Sequence, residues 1–290
     1  MLSDSKVRIP QQPALFRGRV LVWFSCGAAS ACAAKLTLEQ YPDAEILYCD
    51  TLAYEHPDNR RFIADVEKWI GKEIKILKSE KYQDIFDVFE KRRFIISPPP
   101  ARMAICTIEL KRFVREQYQS VGDVHVFGFG VDELARTVRF ERDNPELYLM
   151  FPLRDAGMNK QDCLNMLMQA GIELPAMYKL GYKNNNCVGC VKGGKGYWNK
   201  IRIDFPEAFE RMAQFERKIN ARVFNDVWLD ELPASAGNYK SEFETECGVV
   251  CGGFPTPLAL DGGDSAALQA LSTPEVLSTL QGESTPAHRK

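Results

Sequence analysis

The residues of this sequence whose types and spacing suit chemistry fall into two groups, paired cysteines and a run of small and hydroxylated side chains. Cys187-Val188-Gly189-Cys190 puts two thiols in one tight, glycine-bearing loop, and Cys247 and Cys251 form a second pair. Thiols so spaced chelate soft metals, because neighbouring backbone N–H groups can hydrogen-bond thiolate sulfur. The four together would complete the tetrahedral shell of a zinc ion and would equally hold an iron–sulfur cluster. A thioredoxin-like redox pair is the competing reading of Cys187 and Cys190, although no suitable βαβ start precedes them. The second group is Ser25-Cys26-Gly27-Ala28-Ala29-Ser30. Small side chains let the backbone approach a ligand closely, Ser25 and Ser30 add hydroxyls, and the first N–H groups of a following helix favour phosphate. The run is neither the GxxxxGK(S/T) loop nor GxGxxG. Alone it reads as a phosphate site or as a tight strand–helix junction.

The elements around these residues form a pattern. Residues 19–24 are a short apolar strand leading into the run, and 31–39 are rich in helix formers. Residues 44–49 predict a second strand stopping at Asp50. Pro57 then opens a helix through Phe62, Val66 and Trp69 to a stop at Gly71. A strand over 73–77, a helix over 82–91 and a strand over 124–129 follow. The alternation predicts an α/β fold, a parallel sheet with helices on both faces. Ligands of such sheets bind beyond the carboxyl ends of the strands, where residues 25–30, Asp50 and 128–133 all fall. From about residue 155 the alternation stops. A helix over 159–170 turns Leu164, Leu167 and Met168 inward, 181–197 reads as a loop, and Pro206 starts a helix over 205–219. Residues 222–252 read as irregular. Residues 253–290, rich in Gly, Ser, Thr, Pro and Ala, read as a disordered tail.

The composition, 45% hydrophobic and 26% charged over 290 residues, is that of a globular protein rather than a disordered or fibrous one. A formal net charge of −2 gives no overall attraction to nucleic acid. Lys192, Lys195, Lys200 and Arg202 crowd one stretch, which reads as a solvated charged face. No apolar run approaches the ~18 residues that span a membrane. The first ten residues lack a charged-then-apolar leader, so a cytoplasmic protein with no membrane partner is expected. Nine cysteines in a reducing compartment do not make a disulfide framework. Cys32, Cys49 and Cys163 lie in apolar patterns and are expected in the core.

Ser25-x-Gly27-x-x-Ser30 after a first strand resembles the SGGxxS-type pyrophosphate loop of the adenine-nucleotide α-hydrolase-like superfamily, with Cys26 in place of the first Gly. Asp50-Thr51 is similar to that group's nucleotide-contacting Asp-Thr. Cys106-Thr107-Ile108-Glu109-Leu110-Lys111 resembles its C…LK segment, and Phe151-Pro152-Leu153 its PL. Residues 128–136 resemble its G.R.dE…R segment, with Gly130 where the first Arg would stand. In this order, over about residues 19–252, the motifs resemble the phosphoadenosine-phosphosulfate (PAPS) reductase family, and DNA phosphorothioation sulfurtransferases as well. The resemblance implies a Rossmann-like site for an adenine nucleotide, ATP or PAPS, on Ser25, Gly27, Ala28, Ser30, Asp50, Thr51, Gly128 and Glu133. Lys111 and Arg136 are the cations such an anion requires, with Mg²⁺ as a further counter-charge.

The resemblance also bears on the thiols. Cluster-bearing relatives of this kind hold a 4Fe–4S cluster on a Cys-Cys pair before the fourth strand and on a later C-x-x-C. Cys106 matches the pair, with Ile105 where its neighbour would be, and Cys187 and Cys190 match the later motif. Cys251 or Cys247 would complete the set, and zinc is the alternative metal. Glu246-Cys247-Gly248 resembles the reductases' catalytic ECG, whose cysteine attacks sulfur to form a thiosulfonate that thioredoxin resolves. The family continues with a hydrophobic residue and His, whereas this chain has Val249, Val250 and Cys251. Cys247 is therefore either that nucleophile or a metal ligand.

The implied organisation is a nucleotide-binding domain over 16–195, a helical and irregular extension with the second cysteine pair over 196–252, and the tail. The implied function is ATP-dependent, pyrophosphate-releasing sulfur transfer with an iron–sulfur cluster, which needs a sulfur donor and an acceptor, a nucleic acid among the candidates. The alternative is reduction of PAPS or adenylyl sulfate to sulfite through Cys247, with a thioredoxin-like reductant. A third reading is a non-catalytic nucleotide- or metal-binding protein. Members of the family are often homodimers.

Overall fold

Val20–Phe24 (β1) sends Val22 and Phe24 into one apolar layer and Leu21 and Trp23 into another, all four buried. Two covered faces are what a central parallel strand requires. The computed structural model, which describes residues 18–98 and 102–242, places β1 between Glu45–Cys49 (β2) and Val124–Val126 (β4). Ile74–Leu77 (β3) and Tyr148–Met150 (β5) flank them, in the order β3-β2-β1-β4-β5, with every pair parallel. This is an α/β, Rossmann-like arrangement. Cys247, Cys251 and the tail over 253–290 lie outside the described residues.

The helices are Ala28–Gln40 (α1), Asn59–Ile70 (α2), Ile85–Arg92 (α3), Ile105–Thr107 (α4), Phe113–Tyr118 (α5), Leu134–Asp143 (α6), Pro152–Asp155 (α7), Lys160–Gln169 (α8), Ala176–Lys179 (α9), Lys195–Asp204 (α10) and Pro206–Ile219 (α11). Helices α1, α2 and α8 share the layer of Val22 and Phe24 through residues such as Ala31, Phe62, Val66, Cys163 and Leu167. Helices α5 and α6 cover the opposite face through Val114 and Phe140. The chain therefore leaves β1 toward one face and β4 toward the other, which makes the crevice between these strands the topological switch point. A third cluster joins α3 and α4 to α10 and α11 around Phe89, Trp198, Ile201 and Phe209. Through it, residues on both sides of position 195 share one core.

Several expectations are corrected. Helix α1 begins at Ala28, so residues 28–30 are its first turn rather than loop. The fourth strand stops at Val126; Phe127 N–H still donates to the Met150 carbonyl of β5 at 3.1 Å, and Gly128–Gly130 lie outside the strand. Strand β5 and most of helix α10 were not predicted, and α10 begins at Lys195, inside the stretch read as loop. In α8 the buried pair is Cys163 and Leu167, while Met168 is half exposed. The basic stretch is half-buried and paired rather than simply solvated. Lys195 pairs with Asp226, Lys200 with Asp204, and Arg202 donates to the Leu232 carbonyl at 2.7 Å. Cys32, Cys49 and Cys163 are core residues as expected. Among the described residues no helix is long and apolar enough to cross a membrane.

Helix α11 is tied to the following turn by Glu216, which is fully buried and accepts from the Val223 and Leu229 N–H groups at 2.5 and 2.8 Å. Burial pushes its carboxyl up from 4.5 to about 7. Between those values the folded chain holds a proton that the unfolded chain has released, so stability falls as pH rises through about 7. Urea unfolding is expected to give ~1–3 kcal/mol less stability from this group at pH 8 than at pH 4.5. Glu216→Gln is expected to flatten that dependence.

Candidate functional site

Only Ser25, Cys26 and Gly27 separate β1 from α1, and the turn is made by one left-handed residue. Cys26 has φ of 60°, a conformation that costs a residue with a Cβ ~1–2 kcal/mol and that glycine adopts freely. Its side chain is fully buried, and the thiol donates to the Asn59 carbonyl at 3.8 Å. Burial and the nearby Glu55 carboxylate raise its pKa well above the ordinary thiol value, so it stays protonated. The Ser30 hydroxyl closes the turn. It accepts from the Ser25 and Gly27 N–H groups at 3.0 and 3.3 Å and from the Ser25 hydroxyl at 3.1 Å, and it donates to the Gly27 carbonyl at 3.0 Å. Ala28 N–H donates to the Tyr178 hydroxyl at 3.4 Å.

Across the switch point, the segment leaving β4 runs directly against this turn. A Cβ on Gly128 would lie 2.8 Å from backbone atoms of Ala29 and Ser30, so no larger residue fits without displacing the helix. Further along, Arg136 pairs with Glu133 at 2.5 Å and covers the Phe129 ring at 4.5 Å. The end of β2 is held locally. Asp50 accepts from the Leu52 N–H at 3.1 Å and lies 3.7 Å from the Lys78 ammonium.

Thr51 starts a chain of buried polar groups. Its hydroxyl lies 3.2 Å from that of Tyr48 and donates to one oxygen of Glu55 at 2.6 Å. The other oxygen accepts from the Asn59 side chain at 2.6 Å. Asn185 Nδ2 then donates to Asn59 Oδ1 at 2.9 Å and to the Cys26 carbonyl at 2.6 Å. Every side chain in the chain is buried. It links the β1 turn, the end of β2 and the approach to Cys187.

Beside this chain lies a cavity lined by Thr51, Thr107, Lys111, Lys192 and the thiol-bearing Cys106, Cys187 and Cys190, with Ile85, Phe89, Ala104 and Val191 as apolar walls. Two local devices build it. Cys106 and Lys111 are five positions apart, and on an α-helix they would point about 140° from each other. Between α4 and α5, however, Ile108–Arg112 form a π turn closed by Phe113 N–H on the Ile108 carbonyl, which brings residues five apart toward one side. The second device is the Tyr197 hydroxyl on α10. It accepts from the Cys190 N–H and donates to the Cys187 carbonyl, both at 3.0 Å, while Gly189 between them takes φ of 80°. Arg102, held on the Val191 carbonyl at 3.2 Å, carries its charge near Cys190. The Lys111 ammonium acts electrostatically on Cys26 and Cys49, in each case against the effect of burial.

The residues expected from the sequence thus divide between two places. Ser25, Gly27, Ala28, Ser30 and Gly128 meet at the switch point, with Asp50, Glu133 and Arg136 on neighbouring strand-end segments. Cys106, Cys187 and Cys190 meet in the cavity, and Thr51 and Lys111 line it as well. Among the described residues, no three His, Cys, Asp or Glu side chains converge on a point where they would hold one metal ion. Sequence reasoning did not single out Glu55, Asn59, Asn185, Tyr197 or Thr107 as site residues. The polar run Asn184-Asn185-Asn186 directly before Cys187 was the available signal. No protein-family model matches this chain, and no curated protein matches it.

Asn185→Ala would leave the Cys26 carbonyl and Asn59 Oδ1 buried without this donor. A loss of ~1–3 kcal/mol in urea unfolding is the expected result.

Proposed function

We propose that this chain is an enzyme similar to the PAPS reductase family, which binds an adenine nucleotide at the β1–β4 crevice and uses the neighbouring thiols in ATP-dependent sulfur transfer. The observation that carries this reading is Lys111. Its side chain lines the thiol cavity, and its charge acts on Cys26 in the turn before α1. One cation therefore serves a place suited to phosphate and a place suited to sulfur.

The nucleotide's phosphates lie at the start of α1, where the helix dipole favours negative charge. The fixed left-handed turn at Cys26 and the glycine contact at Gly128 hold that end of the helix in place. An acceptor oxygen attacks the α-phosphorus, a P–O bond to the acceptor forms, and the bond to pyrophosphate breaks. Lys111 offsets the charge that develops, and a bound Mg²⁺ would supply further counter-charge.

We read the described thiols as ligands of a cluster rather than of zinc. They line one cavity without converging on one point, and a cluster takes its cysteines on different irons whereas zinc gathers four on one ion. When bound, a 4Fe–4S cluster supplies a thiophilic metal and one-electron chemistry. Cys106, Cys187 and Cys190 would hold it, and the fourth ligand expected, Cys251, lies outside the described residues. Lys111 and Arg102 offset the negative charge of the thiolates.

Anaerobically purified protein is expected to contain iron and acid-labile sulfide and to absorb near ~400 nm. A colourless protein containing zinc overturns the cluster. Incubation with ATP and an acceptor is expected to release pyrophosphate. Sulfite released from PAPS instead would assign the chain to the reductases, and tight binding without turnover would make it a binding protein. Ser30→Ala removes the hydroxyl that closes the turn and is expected to weaken ATP binding about tenfold by calorimetry, the worth of ~1.4 kcal/mol. Unchanged affinity counts against the site.

A further inference from the structure

Thr107 lies between Cys106 and the π turn, is 1% exposed and lines the thiol cavity, yet its hydroxyl has no hydrogen-bond partner among the described residues. A threonine in a helix ordinarily returns this bond to a carbonyl three or four residues back. Here the carbonyl four residues back, that of Met103, accepts from the Ser97 N–H at 2.9 Å. A buried hydroxyl left unpaired is a net cost to the fold, and such groups are rare without a reason. The other side chains facing the cavity narrow what the hydroxyl can meet. Lys111 and Lys192 are donors only, Thr51 donates to Glu55 at 2.6 Å, and Ile85, Phe89, Ala104 and Val191 are apolar. The Thr51 oxygen is already engaged with both Tyr48 and Glu55, and the other acceptors among these lining side chains are sulfurs.

We propose that the Thr107 hydroxyl donates to sulfur in this cavity, a ligating thiolate or a sulfide of the group the thiols hold, and so tunes that group's affinity for an electron. The inference rests on the cluster reading above. Added electron density falls partly on the sulfurs, so a hydrogen bond to them strengthens on reduction and raises the reduction potential. Thr107 is a positioning and tuning residue in this scheme, not a catalytic one.

The test uses the full chain, purified anaerobically, with iron and sulfide analysis followed by a redox titration read in visible absorbance. Thr107→Val keeps the shape and removes the hydroxyl. It is expected to retain wild-type iron content and to titrate at a more negative potential, while Thr107→Ser is expected to return the potential toward wild type. Should the valine variant fail to accumulate, Thr107→Ala carries the same expectation. Equal potentials in the iron-loaded wild type and the valine variant overturn the inference and leave the cluster reading intact. A serine variant that matches the valine variant overturns it too, because shape rather than the hydroxyl is then responsible. Wild-type protein without iron or sulfide overturns both.

Discussion

A carboxylate enclosed by protein has to find hydrogen bonds for both of its oxygens, and the way Glu55 does so fixes much of this molecule. One oxygen takes the Thr51 hydroxyl and the other the Asn59 amide, each at 2.6 Å. Asn59 in turn is held by Asn185, which also takes the Cys26 carbonyl. With water excluded, breaking any link leaves a polar group unpaired at a cost comparable to a sizeable share of a domain's net stability. Three segments far apart in sequence are therefore held in one arrangement. Cys187 follows Asn185 by two residues, so the position of the thiols is set by the same bonds that hold the turn before α1.

The second constraint is steric. The turn before α1 needs a left-handed residue, and the segment after β4 needs a residue without a side chain. Gly128 meets the second need. Cys26 meets the first at some conformational cost, offset by a fully buried thiol and by the carbonyl bond to Asn185. Strain of this size persists only where surrounding contacts over-determine the backbone, and here they do. The π turn at Ile108–Arg112 is a third local irregularity, and it turns Lys111 toward the cavity that Cys106 lines. All three irregularities border the strand ends, the part of a parallel sheet where ligands bind.

What was legible in the sequence came from periodicity. Strands β1 to β3 are apolar runs bounded by helix formers, and their alternation gave the parallel sheet without further information. Strand β5 was hidden because it spans only Tyr148–Met150 at an edge, with Tyr148 half exposed, so no apolar run marks it. Helix α10 was hidden by its composition. Its Gly196 is a poor helix former, but a Cβ there would strike the backbone of Asn238 and Tyr239, and Glu242 caps the helix through the Gly196 and Tyr197 N–H groups at 2.7 and 2.9 Å. Those partners lie about forty residues downstream, beyond any local pattern. The buried polar chain was unreadable for the same reason. Glu55, Asn59 and Asn185 look like surface residues until the fold brings them together. The cysteines were readable as a set because their type, not their surroundings, carries the chemistry.

Surroundings sort the thiols that type alone leaves equal. Cys49 is pushed up to about 12 by burial, and Cys26 is pushed well up by burial and Glu55, so both remain protonated and unreactive. Cys32 and Cys163 are sealed in the layer between α1 and α8, where the Cys32 thiol donates to the Cys163 carbonyl at 3.4 Å. Only thiolates bind metal or attack sulfur. Cys106, Cys187 and Cys190 share a cavity that Lys111 and Lys192 also line, and Arg102 lies by Cys190. Positive charge beside a thiol and burial of that thiol act in opposite directions on its ionisation. The same Lys111 acts on Cys26 without overcoming its burial. Among the described thiols these three share a cavity with cationic side chains, and that cavity adjoins the ends of the strands, where ligands of parallel sheets bind.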